Sequence, residues 1–119
     1  MKLKTREFED IVMPQPVVFS EVLKLRDSTK YAVGQTHWVC YGGYLVFPMA
    51  GTITLIDSFN KPIGKARVIS TETKFQEFLT DEDAERCGFK RFTELGYYLE
   101  FQNPAEGQLV TFVNFERLE

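Results

Sequence analysis

Histidine occurs once in this chain, as His37, and cysteine only twice, as Cys40 and Cys87. A structural zinc site needs about four Cys or His ligands, and no CxxC pair is present, so neither a metal site nor a cofactor is expected. Two cysteines in a chain able to build its own core do not form a disulfide framework. Free thiols, a reducing compartment and hence a cytoplasmic location are the expectation. No stretch approaches the roughly 18 consecutive apolar residues of a membrane span. The segment Met1-Lys2-Leu3-Lys4-Thr5-Arg6-Glu7 has no apolar run behind its charges and does not read as a signal peptide, so no membrane partner is expected. Positive charge is not in excess either. The formal net charge of −3 argues against a broad basic surface for phosphates, while leaving room for a local basic cleft. Internal repeats, low-complexity tracts and long linkers are lacking, and the five prolines are scattered between candidate elements.

Apolar side chains are plentiful. Hydrophobic residues make up 44% of the 119, with eleven phenylalanines, which excludes a disordered chain and suits one domain spanning residues 1–119. Residues 5–13 read as a short helix or strand ending before Pro14. Residues 17–26 read as extended, with Leu23 and Leu25 alternating against Lys24 and Arg26. Asp27-Ser28-Thr29 is turn chemistry. Further strands are expected at Thr36 to Tyr41, Tyr44 to Phe47, Gly51 to Asp57 and Ile63 to Ser70. The character changes near residue 72, where Phe75, Phe78 and Leu79 have helical spacing. Thr80 followed by Asp81-Glu82-Asp83 is a helix start, and Gly88 is its stop. A second helix is expected from about Arg91 to Glu100, and a final strand from Leu109 to Phe115. Too few strand–helix–strand alternations occur for a doubly wound sheet. The order favours an α+β fold, a small and mostly antiparallel barrel of five to seven strands with the helices of residues 73–100 packed on one side.

Several of these segments resemble a known family. Gly64-Lys65-Ala66-Arg67-Val68-Ile69 leads to Leu79-Thr80-Asp81-Glu82-Asp83-Ala84, then to Gly88-Phe89 and Phe92-Thr93-Glu94-Leu95. This resembles the ASCH branch of the PUA-like superfamily, with its strand, its "Leu-Thr-Asp/Glu-Glu-x-Ala" helix start, its "Gly-Phe" and its "Glu-Leu" helix. Upstream, Arg26-Asp27 and Tyr31-Ala32-Val33-Gly34-Gln35 resemble the family's "Thr-x-Arg-Asp … Tyr-x-x-Gly-Asp" segment. The resemblance runs from Val22 to the end of the chain and implies a PUA-like β-barrel. It departs from the family pattern at one place. The signature glycine before this turn is missing, Glu21 stands where the signature lysine is usual, and Lys24 stands at the position of the threonine.

PUA-like domains commonly bind RNA or modified bases in a cleft beside the barrel. The resemblance therefore implies RNA or a modified nucleoside as partner. Some small ASCH proteins are amidohydrolases of N4-acetylcytidine and others ribonucleases. Their lysine, threonine and downstream glutamate fall here on Glu21, Lys24 and the neighbourhood of Cys87, with Glu85 nearby. An enzyme would need a rearranged set, and an adaptor that has lost its site is a third reading. The ligand-binding candidates are Lys24, Arg26, Asp27 and Tyr31. Two cations on one strand face can hold a phosphate or base carbonyl, or simply form a solvated exterior. Asp27 is placed to cap the turn, or to pair with Arg26 or Lys30. Tyr31 and Trp38 are either stacking platforms or packing residues. Thr36, Trp38 and Cys40 share one strand face, with His37, Val39 and Tyr41 on the other. His37 lacks a nearby partner in sequence for acid–base work, and neither cysteine has an activating neighbour.

Overall fold

The computed structural model describes residues 17–89 and 109–119. The expected element at 5–13 and the expected helix at 91–100 lie outside them. Seven strands are present among the described residues: β1 (Val17–Phe19), β2 (Val22–Lys24), β3 (Thr36–Gly42), β4 (Tyr44–Val46), β5 (Ile53–Ile56), β6 (Pro62–Phe75) and β7 (Leu109–Arg117). They are joined by one α-helix, α1 (Asp81–Arg86), and by 3-10 turns at Ser28–Lys30 and Gln76–Phe78. The described residues are mostly sheet with little helix.

Two open sheets form among the described residues. The larger has strand order β2-β5-β6-β7-β3, and the smaller pairs β1 with β4. Ladders β5–β6, β6–β7 and β3–β7 are antiparallel. The three-residue pairs β1–β4 and β2–β5 are parallel, a departure from an all-antiparallel arrangement. Its cause is local. Residues 17–26 do not form one strand, because the Ser20 hydroxyl donates to the Val22 carbonyl at 2.7 Å and accepts from the Val22 amide at 3.2 Å. That tight turn moves the chain from β4 as partner to β5.

The larger sheet is strongly curled. Both of its edge strands feed one core, Leu23 from β2 with the adjoining Leu25, and Val39 and Tyr41 from β3, alongside Leu55, Ala66, Val68, Val113 and Phe115. The Tyr41 hydroxyl donates across from one edge to the Lys24 carbonyl at 2.7 Å. A second cluster covers the opposite face, where Cys40, Val110 and Phe112 pack against Ala84 of α1 and the half-buried Trp38 and Phe89. This explains why β7 reads as a nearly continuous apolar run: both of its faces are covered. Thr111 is buried within it but fully engaged. Its hydroxyl donates to the Gly43 carbonyl at 2.7 Å and accepts from the Leu45 amide at 3.1 Å, tying the small sheet to the large one.

Two expectations need correction. β6 does not end at Ser70 but runs to Phe75, so Phe75 belongs to a strand and only Gln76–Phe78 turns helically. The helix start is as read. Thr80 caps α1, and Thr80 and Asp83 form a reciprocal capping box.

Candidate functional site

The start of β3, the loop before it and the end of α1 enclose a hollow of about 310 Å³. Its walls carry flat rings and cations. Tyr31 closes one side. The Arg117 guanidinium donates to the Ser28 and Tyr31 carbonyls at 2.8 and 2.9 Å, which pins this loop to the end of β7. The Tyr31 ring meets His37 edge-on, with centroids 5.3 Å apart and planes at 84°. The His37 Nε2 lies 2.9 Å from the Ala32 carbonyl oxygen. A carbonyl only accepts, so Nε2 carries the proton.

Trp38 forms another wall, and the Arg86 guanidinium carbon sits 5.1 Å from its ring centroid, a cation–π distance. Arg86 is fixed from behind, where it donates to Glu72 at 2.8 Å. That bond, opposed by partial burial and helped by the Glu72 and Asp83 charges, raises the guanidinium's pKa further. Asp83, only 1% exposed, accepts from the Lys74 ammonium with both oxygens at 3.0 Å, and also from the Thr80 amide and hydroxyl. Burial pushes its carboxyl up. The Lys74 and Thr80 hydrogen bonds push it down by more, and the net direction is below the ordinary value of 3.8. Lys30 is exposed at the rim of the hollow, and Cys40, Cys87 and Phe89 complete its lining.

The four residues singled out from sequence do not converge. Tyr31 lines this hollow. Lys24 lines a second one, of about 440 Å³, together with Leu23, Tyr41 and Phe47. Lys24 and Arg26 do lie opposite the buried Leu23 and Leu25, as their alternation suggests, but Arg26 is exposed on the following turn. Asp27 caps the 3-10 turn, accepting from the Thr29 amide at 3.1 Å and its hydroxyl at 2.5 Å. The hydroxyl bond, then the amide bond, hold its carboxyl below the usual range. The positions that match the family's catalytic set are also dispersed. Glu21 borders a third hollow beside Phe19 and Pro48, Lys24 the second, and Cys87 the first. No group of three or more His, Cys, Asp or Glu side chains among the described residues is arranged to hold a metal ion. No helix there is long and apolar enough to cross a membrane.

Sequence reasoning missed Arg86 and Arg117. The sole signal for Arg86 was its place in the last turn of α1, three residues after Asp83.

No protein-family model matches the chain, and no curated protein matches it. Among solved structures, the crystal structure of protein ytmB from Bacillus subtilis is similar in outline. Its TM-score is 0.46 at 15% identity, with 88% of this chain and 90% of that chain covered.

Proposed function

We propose that this domain binds RNA or a modified nucleoside in the hollow between β3 and α1, on a fold that we read as PUA-like. The observation that carries the reading is the set of groups around that hollow: the Tyr31, His37 and Trp38 rings together with the Lys30 and Arg86 cations. Rings offer stacking surfaces to any base, and cations meet the phosphate or a base carbonyl. The hollow's size falls within the range of small-molecule sites, about 300–1,000 Å³. It is open, whereas an adaptor that had lost its site would fill it. Lys24 and Arg26 do not border it, so Lys30 and Arg86 take the electrostatic role here. The dispersal of Glu21, Lys24 and Cys87 over three hollows favours binding over amide hydrolysis.

Trp38 is the chain's one tryptophan, and it stands in this hollow. Its emission therefore reports occupancy directly. Titration with cytidine, N4-acetylcytidine and a short single-stranded RNA is expected to give saturable quenching by at least one of them. Stacking is worth about 1–3 kcal/mol per base, so Tyr31→Leu, which keeps an apolar side chain against the core, weakens binding by roughly 5- to 150-fold. With two phosphate contacts, the RNA affinity falls with salt at a log–log slope of only about 1.4. Unchanged emission at millimolar nucleoside and RNA, or equal binding by Tyr31→Leu and Arg86→Ala, overturns the reading.

A further inference from the structure

Consecutive residues of one strand, Thr36 to Cys40 of β3, line the nucleoside hollow. Side chains on a strand alternate between its two faces, so an unbroken run of this kind borders the hollow with the strand's edge. β3 is the last strand of the larger sheet and is paired on one side to β7. The parity of that pairing is fixed at both ends. The Gly43 amide donates to the Leu109 carbonyl at 2.7 Å, and the Arg117 amide donates to the Gln35 carbonyl at 3.0 Å. The register from Thr36 to Gly42 is unbroken. The main-chain groups of His37, Val39 and Tyr41 therefore face β7, and those of Thr36 and Trp38 face the other way, toward the hollow. The Trp38 N–H and C=O have no protein partner among the described residues.

Rings reach this edge from both faces of the sheet. On the main-core side, Tyr31 and His37 each pack against Phe115 with centroids 5.6 Å apart. On the other side Trp38 packs against the cluster of Ala84 and Phe112, with the Arg86 guanidinium over its ring. A planar ligand lying in the plane of the sheet against β3 is flanked by these groups on its two faces, while its rim meets the main chain. We infer that the main chain of Trp38 reads the base in this hollow, its N–H donating to a ring acceptor and its C=O accepting from the neighbouring donor. The ligand is then an unpaired base whose acceptor and donor stand side by side, such as cytosine with N3 beside its N4 amine, or uracil with O4 beside N3–H. This rests on the nucleoside reading and narrows it. A base in a duplex has those groups engaged and is excluded. An extended peptide also pairs with an exposed strand edge, but it brings no flat face for the flanking rings to cover.

Amide hydrogen exchange and ligand analogues test this on the intact chain. In the free protein the Trp38 amide is expected to exchange faster than the His37 and Val39 amides on either side, whose hydrogens are held in the β7 ladder. Saturating cytidine or uridine then slows exchange at Trp38. Trp38 emission supplies the affinities. N4,N4-dimethylcytidine, which keeps the stacking face and loses the donor, is expected to bind roughly 5- to 150-fold more weakly than cytidine, and 3-methyluridine likewise than uridine, the range that a two-pronged base contact supplies. A blocked Val-Thr-Val tripeptide, which offers main-chain groups without a ring, should leave the Trp38 amide unprotected. With nucleoside binding intact, the inference is overturned if the methylated analogues bind as well as their parents, or if the bound nucleoside does not protect Trp38. It is also overturned if the tripeptide protects Trp38 as well as a nucleoside does, which would make the edge a strand-addition site. A slow Trp38 amide in the free protein overturns it whatever binds. Failure of every nucleoside to saturate overturns the nucleoside reading and this inference together.

Discussion

Asp83 sits in a network of hydrogen bonds from Lys74 and Thr80. It is buried, it accepts from Lys74 with both oxygens, and it closes the capping box with Thr80. Removing one partner of such a pair leaves the other without compensation, at a typical cost of 3–5 kcal/mol. Lys74 keeps 28% of its side chain exposed and can turn toward water. Asp83→Ala is therefore expected at the low end, about 3 kcal/mol, read as a shift in the urea midpoint. The pH dependence follows from the direction of the shift. The folded-state pKa lies below the ordinary 3.8, so the unfolded chain binds the proton more readily. The stabilisation is fully present above about pH 4 and is lost as pH falls through the folded value. Asp83→Asn should flatten the dependence of stability on pH below that point. The exposed Asp27 and Asp57, both also shifted down, retain their part of the slope. An unaltered acid transition in Asp83→Asn would assign acid sensitivity elsewhere.

α1 is only six residues long and holds its place through its ends and its buried Ala84. Thr80→Ala removes the cap and should cost about 1 kcal/mol. Gly88 follows the helix with φ of +88°, and a Cβ there would meet nothing within 4 Å. Gly88→Ala should therefore cost only the left-handed strain, about 1 kcal/mol, and a neutral result in thermal melts would show that the turn relaxes. These ends were legible in the sequence because capping is a local pattern of a few residues. The end of β6 was not. Thr71, Glu72, Thr73 and Lys74 carry no alternation of apolar side chains, and their extended state comes from pairing with β7, far along the chain. The spacing of Phe75, Phe78 and Leu79 looked helical. In fact the Phe75 and Phe78 rings meet edge-on, 6.3 Å apart, around a 3-10 turn. The site divides in the same way. Tyr31 and Trp38 could be picked out as flat rings near a turn. Arg86 owes its role to Glu72, fourteen residues back in sequence, and to Trp38 on another strand.

At the scale of the whole molecule, the curled sheet has a firm side and a weak side. β7 lies between β6 and β3, and Val110, Phe112, Val113 and Phe115 are each 0% exposed. β2 lies at an edge, paired through three residues to β5, and the Tyr41 hydroxyl spans the seam to its Lys24 carbonyl. Native-state hydrogen exchange should separate the two. The β7 amides are expected to exchange only through global unfolding, and those of Val22 to Leu25 through a smaller opening at the seam. Tyr41→Phe keeps the ring in the core and removes one hydrogen bond, worth about 1 kcal/mol. If the seam opens as a local unit, that loss appears as faster exchange in β2 and at the Leu25 amide, which donates to Ile56 at 2.9 Å. The β7 amides then slow or quicken only as far as the global stability changes. Equal acceleration of β2 and β7 in Tyr41→Phe would mean that the sheet opens as one cooperative body, with the edge-to-edge hydrogen bond contributing to the whole rather than to its seam.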